Sequence, residues 1–369
     1  MAQARNYGID YLRIAAAWMV IVLHLFTYGN FAESGPMSTQ FFINTFMRGI
    51  TIVAVNLFAL CSGYCNYGKR FKLSGILNIW LATSFYSVSI KLIFSAINNA
   101  WNVSGILKAF LPVSFNAYWY ITSYVLLFFT MPLLNVAVEH LEKQTLETVL
   151  CAGVILFGIQ GFITHHNYDI YHANTGLSAI WLMYMYLIGA YAKKYPNEKL
   201  EKHAMILYLL STGCMFLCGA VNSYLFFSFR DQFIISSYNF LFNILSAVSL
   251  FYVFLSLGKN APKSERVRKW IVLLSKHSLA VYIINCTKEL FGLEMNLTRA
   301  VADMQAFAAS IFVLLFAGAL FIGSVYVDVL REKLFQLLHI DRMVIFCDEK
   351  LIRLQAEHRP RWARGRHTE

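Results

Sequence analysis

The sequence predicts an all-α fold, a polytopic membrane protein with about ten transmembrane helices. Three observations carry that expectation. Of 369 residues, 58% are hydrophobic and only 14% charged, against about 25% charged in ordinary globular proteins. Apolar runs long enough to cross about 30 Å of hydrocarbon recur down the whole chain. Lysines and arginines concentrate in alternate gaps between those runs. A soluble chain of this length has no interior large enough for so much apolar surface, and the same composition excludes intrinsic disorder. Six prolines and twenty glycines exclude a collagen-like or low-complexity design. The formal net charge of +11 reflects topology and not a nucleic-acid face, because the charges fill short gaps and the tail.

The runs fall at about 11–28, 40–64, 75–97, 117–138, 147–163, 176–192, 204–223, 236–257, 270–290 and 305–328. The first carries Arg13 and His24 and lacks a clear small-residue cleavage site, so it reads as a membrane helix and not a cleaved leader. The fifth and sixth are the shortest. The tail after Asp328 alternates Leu334, Leu337, Leu338, Val344, Ile345, Leu351, Ile352 and Leu354 with charges, the pattern of one or two surface helices. The stretch from His358 to Arg366 is basic and reads as a solvated end.

Charge fixes the expected orientation. One set of gaps, with the tail, holds 23 basic residues, among them Lys69, Arg70 and Lys72, then Lys193 and Lys194, then Lys263, Arg266 and Lys269. The opposite gaps hold Lys108, Arg230 and Arg299. By the positive-inside rule both termini are cytoplasmic. No internal repeat is evident, which argues against inverted-repeat transporters. The seven cysteines lie mostly inside apolar runs, with Cys61/Cys65 and Cys214/Cys218 as i,i+4 pairs on shared helix faces. Too few further ligands lie within reach for zinc, so they read as packing thiols and no metal is expected. No disulfide framework is legible.

Ionisable residues in a bilayer are costly and mark candidate functional positions. Asp10, Arg13, Ala17, Val20 and His24 follow spacings of 3, 4, 3 and 4, which places them on one stripe of the first helix. Arg13 and His24 are separated by roughly 16 Å along the axis. The direction of each crossing puts His24, Arg48, Lys91 and Glu289 towards the outer side, and Asp10, Arg13, Lys276, His277 and Asp328 near the inner face. The aromatics Tyr118, Trp119, Tyr120 and Tyr124 open the fourth run at the outer interface. They suit an interfacial belt or a surface on which sugar stacks. The segment 165–172 holds three histidines and an aspartate and reads as a polar loop.

At the first stripe the sequence resembles a known family. Tyr7-Gly8-Ile9-Asp10-Tyr11-Leu12-Arg13, followed by Val20-Ile21-Val22-Leu23-His24, is similar to the opening of the acyltransferase-3 family of membrane acyltransferases. That family's arginine and histidine, with ten residues between them, match Arg13 and His24. Further similar segments follow in order: Asn56 through Ser62-Gly63-Tyr64, Tyr118-Trp119-Tyr120 with Met131-Pro132-Leu133-Leu134-Asn135, Ile180-Trp181 through Gly189-Ala190-Tyr191, Ser278 through Tyr282, and Tyr326 through Arg331. The flavour is closest to capsule and exopolysaccharide O-acetyltransferases of Gram-positive bacteria. Two positions depart from the pattern: Asn285 stands where many members have histidine, and Asn56 where proline is common.

The resemblance implies transfer of an acyl group, acetyl above all, from cytosolic acyl-CoA to a hydroxyl of a cell-surface or extracellular polysaccharide or lipid-linked glycan. It implies a plasma-membrane enzyme with a membrane acyltransferase domain over 1–330 and a cytoplasmic amphipathic and basic tail over 331–369. Acyl-CoA, a glycan acceptor and membrane lipid are the expected partners, without nucleic acid. Such chemistry needs a group that takes the hydroxyl proton or carries the acyl group, and His24 fits either role. Arg13 suits the phosphates of acyl-CoA, because a guanidinium fork matches phosphate. Asp10, Arg48, Trp119, Tyr120 and Glu289 are the candidate substrate-binding residues, with Arg48 a candidate oxyanion or acceptor-positioning group. The rival expectation is a multi-helix transporter or flippase without acyl-transfer chemistry, which broken helices and paired half-repeats would favour.

Overall fold

The computed structural model describes residues 5–29, 38–163, 171–226, 237–301 and 304–357. Most of the 165–172 segment, Arg230 and the basic run 358–366 lie outside the described residues. Among the described residues every regular element is helical. In chain order these are α1 (Tyr7–Tyr28), α2 (Thr39–Thr51), α3 (Ala54–Asn66), α4 (Leu73–Ile97), α5 (Val103–Ala109), α6 (Trp119–His140), α7 (Lys143–Ile163) and α8 (Ala179–Lys194). They continue as α9 (Glu198–Phe226), α10 (Leu241–Leu257), α11 (Glu265–Lys276), α12 (Ser278–Asn285), α13 (Lys288–Arg299), α14 (Ala306–Leu337) and α15 (Ile340–Glu357).

The chain is a multi-pass membrane protein. Among the described residues six segments are long and apolar enough to cross a bilayer: Tyr7–Tyr28, Thr39–Asn66, Leu73–Ile97, Trp119–His140, Glu198–Val221 and Ala306–Leu337. The shorter apolar α10 adds a seventh apolar helix. Of the ten expected spans, the remaining three correspond to α7, α8 and the broken pair α11–α12, with α13 beginning where the ninth expected span ends. The expected ninth span, 270–290, is interrupted at His277 and at Cys286, whose backbones sit near φ −93° with ψ close to zero. That bridge conformation ends a helical hydrogen-bond ladder. The second span is also interrupted, more gently, at Ile52 and Val53, which remain in the right-handed helical region. There Thr51 turns its hydroxyl back onto the carbonyl of Met47 at 2.6 Å, a bond that bends helices.

Helix α1 is the wall shared by two cores. Its Leu12, Ala16, Val20 and Leu23 pack into a cluster with α3, α6, α8 and α10, around Leu57, Leu60, Trp181 and Phe251. Its Ala17, Ile21, Val22, Leu25 and Phe26 pack with Val313, Ala317, Phe321 and Val325 of α14. A helix apolar on all sides belongs in an interior, and α1 is enclosed by α2, α3, α10, α11, α12, α13 and α14. The surrounding helices keep apolar outward faces. Leu133 on α6 and Leu315 on α14 are 71% and 70% exposed, as expected for side chains in contact with lipid tails.

Close approach of α3 and α8 rests on two glycines. A Cβ on Gly63 would lie 2.0 Å from the carbonyl oxygen of Tyr186, and one on Gly189 would lie 2.1 Å from that of Leu60. Asn56, at the start of α3, donates to the carbonyl of Tyr238 and accepts from the indole of Trp181, both at 2.8 Å. The tail does not simply trail away. α14 runs unbroken to Leu337, and α15 packs on α4, where Asp348 accepts a hydrogen bond from the Ser74 N–H at 2.8 Å.

Candidate active site

The site is built along α1, whose ladder is continuous from Tyr7 to Tyr28. Arg13 and His24 therefore keep their eleven-residue separation, roughly 16 Å along the axis, and cannot touch the same atom. The helix presents two chemical poles.

At the Arg13 pole the guanidinium faces two thiols. Its Nε lies 3.4 Å from Cys61 Sγ and its Nη2 3.7 Å from Cys65 Sγ, with the two sulfurs 3.9 Å apart. The i,i+4 pair on α3 thus forms a sulfur seat for the arginine. A cavity of about 190 Å³ opens here, lined by Arg13, Cys61, Ser62, Tyr120, Tyr124 and, from the α11–α12 junction, Ser275, Lys276 and Ser278. One turn away, Asp10 is buried and clamped by the Nε and Nη2 of Arg5 at 2.7 Å each. That bidentate pairing occupies both of its oxygens.

The α11–α12 junction is held by a buried ionic network. Asp328 of α14 receives the Tyr86 hydroxyl at 2.5 Å and Arg331 Nε at 2.6 Å, and its other oxygen lies 2.6 Å from His277 Nδ1. His277 Nε2 lies 3.6 Å from Glu332, which also pairs with Lys276. The residues expected near one face, Asp10, Arg13, Lys276, His277 and Asp328, do gather at this pole. The first break in the expected ninth span falls at His277, the residue whose ring lies against Asp328.

At the other pole His24 is half-buried. Its Nδ1 lies 3.7 Å from Cys286 Sγ, and its ring packs edge-on to Phe291 at 5.5 Å and against Tyr28 at 6.1 Å. Glu289 pairs with Lys91 at 2.7 Å, and Tyr118 bonds Thr287 at 2.9 Å. Arg48 stands in the last turn of α2. Glu294, on the polar α13 outside the membrane-crossing helices, is 4% exposed, and burial pushes its carboxyl up to about 8.

Trp119 and Tyr120 meet edge-on at 5.8 Å. Tyr120 is buried against Phe58 and Tyr282 and opens onto the Arg13 cavity, while Trp119 packs on Tyr238. The structure therefore brings Tyr120 to Arg13 and not to His24. Asn285, where a histidine is common in the resembling family, donates to the Val281 carbonyl at 2.7 Å and to Ser324 Oγ at 2.9 Å. Its work is to join α12 to α14. Among the described residues no three His, Cys, Asp or Glu side chains converge as a metal site.

A family model described as an acyltransferase domain matches residues 6–329, from the cap of α1 to the ionic network on α14. The chain belongs to the acyltransferase-3 family. Comparison with curated proteins and with solved structures returns no match. An acyltransferase of this family needs an acyl donor, an acceptor and a lipid environment, and both poles of α1 lie within the matched domain.

The sequence did not reveal the thiols as partners of Arg13. Their shared helix face was visible, but the register of α3 against α1 was not. The contact between His24 and Cys286 was hidden for the same reason, since it joins residues 262 positions apart.

Proposed function

We propose that this acyltransferase moves an acyl group, acetyl in the first instance, from cytosolic acyl-CoA to a hydroxyl of a cell-surface polysaccharide or lipid-linked glycan. The observation that carries the reading is the pair of poles on one unbroken helix: a guanidinium beside a cavity at one end, an imidazole at the other. In this reading the plasma membrane holds the chain with both termini cytoplasmic, an orientation supported by the 23-to-three asymmetry of basic residues. The Arg13 pole then faces the donor and the His24 pole the acceptor. The order and spacing of the motifs, similar to those of Gram-positive capsule O-acetyltransferases, support a glycan acceptor.

The reaction joins a hydroxyl to a thioester. His24 takes the hydroxyl proton as the oxygen attacks the acyl carbonyl, the carbon–sulfur bond breaks, and the CoA sulfur leaves with a proton. The imidazole alternatively carries the acyl group between the two half-reactions. Arg13 serves the donor, held in place by Cys61 and Cys65. Arg48 and Glu289 serve the acceptor side, Asp10 braces the donor end through Arg5, and Tyr120 lines the donor cavity with Trp119 packed edge-on against it. The breaks near Ile52, His277 and Cys286 are a feature that would suit a transporter, and membership of an acyltransferase family is what favours transfer chemistry over that alternative.

Deleting the protein and recording surface polysaccharide by NMR tests the proposal. O-acyl signals are expected to disappear. Unchanged O-acyl signals, with altered uptake of a small solute, would support transport instead.

A further inference from the structure

Helix α13 packs against the His24 end of α1. Its Phe291 meets the His24 imidazole edge-on at 5.5 Å and the Tyr28 ring at 5.5 Å. Seven residues on, Thr298 sits so close to Gly29 that a Cβ there would lie 2.7 Å from the threonine hydroxyl oxygen. Positions seven apart on a helix nearly eclipse, and Glu294 falls between them on the same face, about one turn from each. Glu294 is therefore turned towards α1, between the His24–Tyr28 contact and the Gly29 contact.

A carboxyl buried in that position is costly unless something pairs with it. Glu294 is 4% exposed, and among the described residues its carboxyl has no hydrogen-bond or ion-pair partner. Thr298 spends its hydroxyl on the carbonyls of Glu294 and Met295, at 3.2 and 2.9 Å. The titratable groups that α1, α4 and α12 bring to this end are His24, Tyr28, Lys91 and the capping Cys286. Lys91 is taken by Glu289. Lys288 and Arg299, at the two ends of α13 itself, are exposed. With no cation beside it, an enclosed carboxyl rests as the neutral acid, and burial alone holds it up to about 8. Near neutral pH Glu294 therefore carries an O–H, a hydrogen-bond donor that a carboxylate lacks.

Acyl transfer builds negative charge on the acyl carbonyl oxygen as the acceptor attacks, and donors already in place for that charge are a large part of catalysis. A carboxylic acid kept neutral by an apolar site is one such donor. We propose that Glu294 is a catalytic residue of the His24 pole, donating a hydrogen bond to the acyl carbonyl oxygen during transfer. The acceptor oxygen bonds to the acyl carbon, its proton passes to His24, and the carbonyl electron pair moves onto oxygen, where the Glu294 O–H meets it. The pair returns as the carbon–sulfur bond breaks, the thiol leaves with the proton held by His24, and Glu294 keeps its own. The inference rests on the acyl-transfer reading above and adds a second group to its chemistry.

Transfer of labelled acetyl from acetyl-CoA to surface glycan, followed in membranes from about pH 6 to 9.5, tests the role in wild type, Glu294→Gln and Glu294→Met at matched levels. The wild-type rate is expected to fall above about 8, as the O–H is lost. Glutamine keeps a donor that does not titrate, so Glu294→Gln should retain transfer within about tenfold and lose the alkaline fall. Methionine matches the side chain in length but donates nothing, and Glu294→Met should lower the rate about 10²–10³-fold. The pH profile of Glu294→Gln, a change that keeps the shape, decides even where methionine disturbs packing. Wild-type transfer by Glu294→Met, or the same alkaline profile in wild type and Glu294→Gln, would overturn the proposal and leave Glu294 a packing residue. Glu294→Gln as inactive as Glu294→Met, at wild-type melting temperature, would overturn it as well and make the carboxylate a proton acceptor. No transfer by wild type at any pH would remove the acyl-transfer reading itself, and this role with it.

Discussion

Arg13 is the residue whose environment most changes its interpretation. From sequence it is an arginine near a membrane end. In the structure its fork meets two sulfurs of α3 at 3.4 and 3.7 Å and lines a cavity. An ammonium has no planar fork and cannot address both thiols in that geometry. Arg13→Lys is therefore expected to insert normally yet lose at least about tenfold in turnover, measured with labelled acyl-CoA in membranes. Wild-type turnover in that variant would remove Arg13 from the donor site. Glu294 makes a prediction about pH. Burial raises its carboxyl from 4.5 to about 8, so the folded protein holds a proton that the unfolded chain has released. Between those values the unfolded state binds fewer protons, and stability must fall as pH rises, the full penalty being present above about 8. The melting temperature of wild type should decline across that window more steeply than that of Glu294→Gln. Parallel curves would show that the carboxyl is not buried. Asp10, Arg13, His24, Glu289, His277 and Asp328 were each legible as polar residues at membrane positions, because charge in an apolar run stands out. Their partners were not, because Cys61, Cys65 and Cys286 are themselves apolar enough to pass for packing residues.

Among the elements, α1 was the most legible. Its apolar residues surround the axis, and Asp10, Arg13 and His24 share their stripe with the apolar Ala17 and Val20, so its central place follows from composition. The expected ninth span was the least legible. The apolar run 270–290 is interrupted by Ser275-Lys276-His277-Ser278, and the first break falls there, at the His277 that meets Asp328 fifty-one residues away, while the second, at Cys286, has no mark in the hydropathy. Ser275, Lys276 and Ser278 at this junction line the Arg13 cavity, the proposed donor site. The α3–α8 contact gives a direct test at this scale. Gly63→Ala would push a methyl group to 2.0 Å from the Tyr186 carbonyl oxygen, and overpacking of this kind costs about 1–3 kcal/mol or more. Gly318→Ala, whose Cβ meets nothing within 4 Å, should be neutral. A melting-temperature drop in the first and none in the second is expected. Equal stability would mean that α3 and α8 stand further apart.

For the whole molecule, the alternation of basic gaps made a membrane protein with a definite proposed orientation readable before any contact was known. A cysteine placed at Ala100, in the exposed turn after α4, should react with an impermeant reagent added outside cells, and one at Lys69, in the turn after α3, should not, in a background without other reactive thiols. The reverse pattern would invert the proposed topology. In the proposed topology the two poles of α1 face opposite sides, with the proposed donor at Arg13 and the proposed acceptor at His24. The most direct measurement is transfer of labelled acetyl from acetyl-CoA to surface glycan in membranes containing wild type or His24→Gln at matched levels. Glutamine still donates and accepts hydrogen bonds but cannot take a proton near pH 7 or carry an acyl group. The account predicts a loss of about 10²–10⁴ in the glycan-acylation rate for that variant. Transfer by His24→Gln at a large fraction of the wild-type rate would contradict it and leave His24 as a packing residue beside Cys286 and Phe291.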